Sequence, residues 1–351
     1  MRIAEIAPPW VTVPPAGYGG IELIVALLAD GLAERGHDVT LFASGGSTSK
    51  AEIVSPLPEP PERARLGNSW DETYHATFAY LAALEDGFDV IHDHSGIVGP
   101  ALAAVLHQRG GPPVVHTLHG PWTEPAKRYY RLLGARVGLV AISESQEQGF
   151  PEANYVGVVP NGINLDAYPL REEKDDFVLF LGRCNPEKGP EVAVEVAKQA
   201  GVHLKMIVKR GERFEQEYWE QVVLPRLSGD EEIFDEVPHR VKVDLLGRAR
   251  ATLVSIQWPE PFGLVMTESM ACGTPVVATC FGAAPELVVH GETGFLCSKF
   301  DDLVAAVGRV GELSPARCRE HVAARFGDDA MTSGYERVFQ RVTAATFPLR
   351  P

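Results

Sequence analysis

Cysteine is scarce: the 351 residues contain five, an odd number with no CxxC pair. A disulfide framework and a paired-cysteine zinc site therefore have no basis, and a reducing compartment, the cytoplasm, fits best. Long apolar runs are missing too. No stretch reaches 18 apolar residues, so no segment is expected to span a bilayer. The opening MRIAEIAPPW has no uninterrupted apolar region and is not read as a secretory signal. Positive charge is also short, with 32 Lys and Arg against 47 Asp and Glu, a net charge of −15. General nucleic-acid binding is excluded, because it needs a basic field to replace counterions. A small basic pocket for a phosphorylated ligand stays open, as do peripheral membrane contact and the oligomeric state.

Material for a core is ample, with 45% apolar residues against 23% charged. The length predicts two domains. Arg2–Ala7 reads as a buried strand, followed by the Gly/Pro loop Pro14–Gly20. Ile21–Arg35 then carries apolar residues at helical spacing and ends at Gly36, with a second strand over His37–Phe42. Further strands are expected at Val90–His92, Val114–Leu118, Leu139–Ile142 and Val156–Val159, with helices between them. The first domain closes near Pro160–Gly162, and the polar stretch Asn164–Asp176 reads as a linker. The pattern then restarts: strand Phe177–Leu181, loop Gly182–Gly189, helix Pro190–Ala200 and strand His203–Lys209. Glu212–Glu236, with nine acidic residues, reads as a solvated helix and loop. A helix at Val241–Ala251, a strand at Thr252–Ile256 and a helix at Leu264–Cys272 follow, with closing helices at Pro315–Phe326 and Met331–Arg341. The expectation is an α/β protein of two Rossmann-like domains facing each other across a cleft. Their boundaries are 1–165 and 166–330, followed by a C-terminal helix at 331–351. Open α/β sheets bind ligands at the carboxyl ends of their strands.

Several clusters fit that place. The glycines of PPAGYGG, Gly19 and Gly20 among them, let backbone approach an anion at a helix start, although a plain turn explains them equally well. There is no GxGxxG, which disfavours a dinucleotide site. GRCNPEKG sits in the equivalent place of the second half. Its Arg183 and Lys188 are a fork and a point charge that suit a diphosphate. Glu260 and Glu268 bracket a loop and a helix start. They are too far apart to share a metal on one helical face, but carboxylates accept hydrogen bonds from vicinal diols. Gly282 to Ala284 is a candidate backbone anion nest, and Cys272 and Cys280 read as small apolar residues. Four histidines, His92, His94, His116 and His119, end two strands. With no HExxH and no cysteine pair, no metal is assigned. His119 leaves its strand at a Gly-Pro turn, where a neutral imidazole can bond a hydroxyl.

Together these segments carry a family pattern. PPAGYGGIE with GHDVTLFA, VVPNGINLDAY, FLGRCNPEKG, and WPEPFGLVMTESMACGTPVVAT followed by GAAPELVVHGETGFL occur in order across most of the chain. The sequence resembles the retaining, nucleotide-sugar-dependent glycosyltransferases of family 4, which have the GT-B fold, and the resemblance implies that the helix at 331–351 packs back on the first domain. The resemblance implies that Arg183 and Lys188 hold the donor diphosphate and that Glu268 binds ribose hydroxyls. It implies that Glu260 binds hydroxyls of the transferred hexose with the backbone of Phe262, Gly263 and Leu264. Gly19 and Gly20 would approach the distal phosphate and the acceptor side, and His119 the sugar near its reacting centre, with Ser143 and Asn161 in support. It implies no tightly bound cofactor, no required metal, and a hydroxyl acceptor whose identity the sequence does not disclose. UDP-glucose is the expected donor and GDP-mannose the alternative. A non-catalytic nucleotide-sugar-binding protein, and an epimerase or phosphorylase-like enzyme on the same architecture, are the competing classes. Three departures stand out: KRGER after the second domain's second strand, IFDEV at 233–237, and Ser255 where the family commonly has Pro.

Overall fold

The computed structural model describes residues 1–17, 19–61 and 67–344. Tyr18 and the end of the expected C-terminal helix, 345–351, lie outside them. The chain divides into two compact units, Met1–Gly162 with Asp328 onward, and Ile163–Gly327.

Unit 1 begins with β1 (Arg2–Ile6), α1 (Gly20–Glu34), β2 (Asp38–Phe42) and β3 (Glu52–Val54). It continues with α2 (Ser69–Glu85), β4 (Val90–Asp93), α3 (Val98–Gln108), β5 (Val114–Thr117), α4 (Glu124–Leu133), β6 (Gly138–Ala141), α5 (Glu144–Gln148) and β7 (Tyr155–Val158). The strands form one sheet in the order β3-β2-β1-β4-β5-β6-β7, and every pairing is parallel. Helices cover both faces, so strands such as β4 and β5 are buried at every position. The apolar stripe of α1 (Ile24, Val25, Leu28, Leu32) is fully buried, each large side chain contributing about 1.5–3 kcal/mol. Gly36, at φ 83°, ends that helix in the left-handed conformation that suits glycine.

Unit 2 contains β8 (Phe177–Arg183), α6 (Pro190–Ala200), β9 (His203–Lys209), α7 (Arg213–Tyr218), β10 (Glu232–Phe234), α8 (His239–Arg248) and β11 (Ala251–Val254). Then come α9 (Leu264–Ala271), β12 (Val276–Thr279), α10 (Ala284–Leu287), β13 (Gly294–Cys297), α11 (Phe300–Arg309) and α12 (Pro315–Arg325). Its sheet runs β10-β9-β8-β11-β12-β13, again all parallel. In both sheets the order reverses beside the first strand, leaving a crevice at the carboxyl ends of β1/β4 and of β8/β11. The last helix, α13 (Asp328–Ala344), belongs to unit 1. Its Glu336 pairs with Arg35 and lies 2.8 Å from His37 Nε2, and Gly334 leaves room for Val159, which a Cβ would meet at 2.7 Å.

Several expectations need correction. Residues 164–176 are not a free linker. Tyr168 is buried, and Lys174 Nζ donates to Gly247 O (2.8 Å) and Thr274 Oγ1 (2.7 Å). Arg319 holds the strap through Ala271 O at 2.8 Å and Leu165 O at 3.2 Å. Burial pushes the Lys174 ammonium down to about 8. The acidic stretch is not simply solvated either. It forms α7, further helical turns and edge strand β10, and its Glu215 is fully buried. Arg183 ends a strand rather than lying in a loop, because the ladder with β9 extends to the Arg183–Lys209 pair. Strands β3 and β10, of three residues each, are too short to show a period in the sequence, and Cys280 is exposed.

Buried histidines make unit 1 sensitive to acid. Burial pushes His75 and His94 from an ordinary 6.5 down to about 4. Below pH 6.5 the unfolded chain binds protons that the fold refuses, so stability falls between pH 6.5 and 4, by about 1.4 kcal/mol per group per pH unit at most. Glu22, which burial raises to about 6, works the other way between 6 and 4.5. We expect the melting temperature to drop from pH 7.5 to pH 5, and H75F to narrow that drop. An equal drop in H75F removes His75 from the account.

Candidate active site

The crevice of unit 2 is built by two loops stitched together. The loop after β8 carries Asn185, Glu187, Lys188 and Gly189, and the loop after β11 carries Ser255, Gln257, Trp258 and Glu260. Gln257 N–H donates to Glu187 O at 2.7 Å, and Ser255 Oγ donates to Gly189 O at 2.7 Å. Gly189 sits at φ 61°, and a Cβ there would stand 2.3 Å from Ser255 O, so the two backbones touch as only glycine permits. Asn185 Oδ1 accepts from Lys188 N–H at 3.1 Å, which turns the loop upward to α6. Ser255 is thus one of the seams between the loops, at a position where the sequence departs from the family.

The stitch joins two residues 72 apart. Lys188 Nζ is hydrogen-bonded to Glu260 Oε2, and Trp258 Nε1 donates to the same oxygen at 2.8 Å. The ammonium lies 5.4 Å from the centre of the Trp258 ring, a cation–π distance. Glu260 is buried, so its charge needs these partners. Behind it, Gly282 adopts φ 57°, and Ala283 N–H donates to Glu260 O at 2.9 Å. Ala284 N–H donates to Phe281 O, at 3.2 Å. The proposed nest at 282–284 is therefore corrected: the amides of Ala283 and Ala284 serve the protein itself. Phe262 and Gly263 follow Glu260, and Gly263, at φ 92°, opens α9 at Leu264, whose first-turn amides favour an anion or a hydroxyl oxygen.

Glu268 lies one turn into α9 and is buried. Its Oε1 accepts from the Tyr168 hydroxyl and from Lys242 Nζ, both at 2.7 Å, while Oε2 has no partner among the described residues. Burial, with Glu268 beside it, pushes the Tyr168 phenol up, so Tyr168 is the donor. Arg183 leaves the end of β8 and donates through Nε to Glu215 Oε1 at 2.9 Å. Glu215 also caps α7 through the Glu212 amide, at 3.0 Å. Both cations expected at the site are thus already paired with carboxylates.

In unit 1, Gly19 and Gly20 open α1. A Cβ on Gly19 would stand 2.7 Å from Pro15 Cβ, so the Pro15 ring leaves no room for a side chain there. His119 follows β5, half-buried, with Nε2 2.8 Å from His94 Nδ1. His116 is tied to Asp93 (2.7 Å) and to Tyr130 (3.0 Å), so its role is structural. Ser143 caps α5, and Asn161 is buried. Sequence reasoning missed Trp258, Lys242, Tyr168 and Glu215. Trp258 lies inside the WPEPFG motif and was within reach. The other three come from distant segments and leave no local signal.

The stitch can be tested by overfilling it. A Cβ on Gly282 would meet Glu260 N and O at 2.3 Å. G282A is expected to cost about 1–3 kcal/mol or more from strain at that φ and from the displaced loop. G291A, which also has φ above zero but faces open space, is the control. Urea unfolding measures both, and equal losses would mean that the Glu260 contact does not matter.

Comparison with known proteins fits this geometry. Residues 164–323 match the family described as Glycosyl transferases group 1, and residues 18–167 match Glycosyltransferase Family 4. The chain is 30% identical to a D-inositol 3-phosphate glycosyltransferase of Acidothermus cellulolyticus, covering 95% of this chain and 89% of the relative. It is 28% identical to a phosphatidyl-myo-inositol mannosyltransferase of Mycolicibacterium smegmatis, over 98% and 95% of the two chains. Among solved structures, AviGT4, a glycosyltransferase involved in avilamycin A biosynthesis, is 26% identical with a TM-score of 0.73, covering 98% of each chain. With both halves matched, this chain belongs to the group 1/family 4 glycosyltransferases, GT-B enzymes that depend on nucleotide sugars.

Proposed function

We propose that the protein is a retaining hexosyltransferase that moves a hexose from a nucleoside diphosphate sugar to an acceptor hydroxyl. The observation that carries this reading is the Lys188–Glu260 pair, held against Trp258 at the entry to α9. An ammonium and a carboxylate at one helix start suit a ligand with a diphosphate beside a ring of hydroxyls. In this reading Arg183 and Lys188 exchange their carboxylate partners for the diphosphate. Glu260 takes the hexose hydroxyls with the backbone of Phe262, Gly263 and Leu264. The open Oε2 of Glu268 takes the ribose hydroxyls. Gly19 and Gly20 serve the distal phosphate and the acceptor, and His119 contacts the sugar.

The chemistry we propose is front-face substitution. The bond from the anomeric carbon to the leaving phosphate oxygen breaks through an oxocarbenium-like state. The acceptor oxygen bonds to the same face, and the departing diphosphate takes its proton. The protein orients the reactants and stabilises the charge that develops on the diphosphate. Arg183 and Lys188 supply that stabilisation, and we assign no metal to it. UDP-glucose is the first donor we assign. GDP-mannose is the second reading, favoured by the mannosyltransferase among the relatives. The inositol named in two relatives makes a polyol acceptor the first to screen. Five unpaired cysteines, four of them buried, suit a cytoplasmic enzyme, and no helix among the described residues is long and apolar enough to cross a membrane.

Calorimetric titration with UDP, GDP and ADP tests the donor. Binding of UDP above the other two supports UDP-glucose, and preference for GDP moves the assignment to mannosyl transfer. K188A should weaken diphosphate binding about 10-fold or more, the loss expected for one charge-assisted contact. E260Q should lower kcat about 100-fold, far beyond its loss of stability, because losing the Lys188 pair also lowers the melting temperature and activity is therefore compared well below it. Full activity in E260Q, or an inverted anomer in the product by NMR, would sink the mechanism.

A further inference from the structure

A chain of buried polar groups runs through unit 1 and ends at His119. Its centre is Glu5 on β1, which is fully buried. The register of β1 on β4 sets Glu5 beside His92. On one side, His92 Nδ1 lies 3.0 Å from Glu5 Oε2, His92 Nε2 lies 2.8 Å from Thr117 Oγ1, and Thr117 Oγ1 lies 2.9 Å from the Tyr335 hydroxyl of α13. On the other side, His94 Nε2 stands 2.7 Å from Glu5 Oε1, off the axis of an aligned hydrogen bond but too close for two lone pairs to face each other. His94 Nδ1 then lies 2.8 Å from His119 Nε2. The chain ends there, because His119 Nδ1 has no hydrogen-bond partner among the described residues.

The direction of each proton follows from the carboxylate, which only accepts. His92 must carry its proton on Nδ1, so its Nε2 accepts from Thr117, which in turn accepts from Tyr335. His94 must carry its proton on Nε2, so its Nδ1 is a lone pair. The partner of that lone pair must be an N–H, so His119 is protonated on Nε2. A different arrangement would have His94 Nε2 donate to His92 Nδ1, 3.2 Å away. That would leave two acceptors, His92 Nδ1 and Glu5 Oε2, 3.0 Å apart with no proton between them, a buried repulsion. Burial raises the Glu5 carboxyl, but the imidazoles of His92 and His94 outweigh this and hold it well below the usual range. Burial pushes His94 down to about 4 and pushes His119 down as well, so both rings are neutral at pH 7.

We propose that Glu5 and His94 are positioning residues that lock His119 in its Nε2–H tautomer and leave Nδ1 as an acceptor for a hydroxyl of the sugar substrate. The contact with sugar rests on the role proposed above for His119; the tautomer does not. A free histidine in water populates both tautomers and meets a hydroxyl either way. A locked acceptor selects a ligand that donates at that point and turns no N–H toward the positive charge that develops at the anomeric carbon. The same cluster raises a rival possibility. The Glu5 carboxylate, His92 Nδ1 and His94 Nε2 converge closely enough to ligate a cation. A cation there would displace the His94 Nε2 proton. His94 Nδ1 would then be the donor, and His119 would present N–H from Nδ1 instead. The two arrangements predict opposite tautomers.

The test is a long-range proton–nitrogen NMR spectrum of the full-length protein labelled with ¹⁵N-histidine, at pH 7.5 in EDTA, with H119Q to assign the ring. The expected result is a single Nε2–H tautomer for His119. An Nδ1–H tautomer, an averaged mixture or an imidazolium overturns the proposal. So does an Nδ1–H tautomer that appears when zinc is added in place of EDTA and vanishes again with chelator. In E5Q the amide both donates and accepts, and we expect the single tautomer to be lost. A folded E5Q that keeps it removes Glu5 from the relay. If E5Q does not fold, the wild-type spectrum still decides the tautomer. H119A separates the two readings. Undiminished transfer in H119A overturns the sugar contact, and with it the acceptor role proposed here, while the tautomer measurement stands as a result about unit 1.

Discussion

The salt link between Lys188 and Glu260 is the constraint on which the rest of unit 2 depends. It joins the loops that follow β8 and β11, the two strands at which the order of the sheet reverses. A buried carboxylate is costly unless a cation and further donors satisfy it. Lys188 and the Trp258 indole meet that requirement, and Ser255, Gly189 and Gly282 bring the backbones close enough for the contact. The same geometry leaves an ammonium and a carboxylate on the segment that leads into the N-terminus of α9. The groups that join these two loops are the ones that the proposed function assigns to a diphosphate and a sugar ring.

Unit 1 answers a similar problem with a different device. Its sheet buries Glu5, a carboxylate whose charge partners among the described residues are the imidazoles of His92 and His94. Two imidazoles flank it, His92 bonded to Oε2 and His94 close to Oε1, and their outer nitrogens pass the hydrogen-bond direction outward to Tyr335 on one arm and His119 on the other. The helix α13 is part of this arrangement although it lies at the far end of the chain. Tyr335 closes one arm, while Arg35 and His37 fasten Glu336 nearby. A C-terminal helix thereby helps to set a polar network that starts five residues from the N-terminus.

The acidic balance of the chain also has a structural account. Much of the negative charge at 212–236 is exposed, but Glu215 is buried and holds Arg183, and Glu232 on edge strand β10 faces His203 and Lys205. Charged side chains on an edge strand discourage pairing with another chain. The strap at 164–176 likewise spends its charges inside unit 2, with Asp175 on Arg248 and Asp176 on Arg250. Neither segment needs a partner molecule to explain its composition.

The sequence by itself determined the alternation of strands and helices, the two α/β units and the ordered motifs of the family. These rest on local periodicity, on glycine and proline at turns, and on short runs whose residue types are adjacent in the chain. Arg183, Lys188, Glu260 and Glu268 were legible for the same reason. Only the tertiary structure decided their partners. Tyr168 and Lys242 reach Glu268, and Glu215 reaches Arg183, from segments with no pattern of their own. The short edge strands β3 and β10 exist because a neighbouring strand offers them a ladder. Glu5 looks like one more residue in an apolar strand until parallel register sets it opposite His92. Hydrogen bonds and buried charges are satisfied in space, between residues tens to hundreds of positions apart, and that pairing is fixed only when the chain has folded.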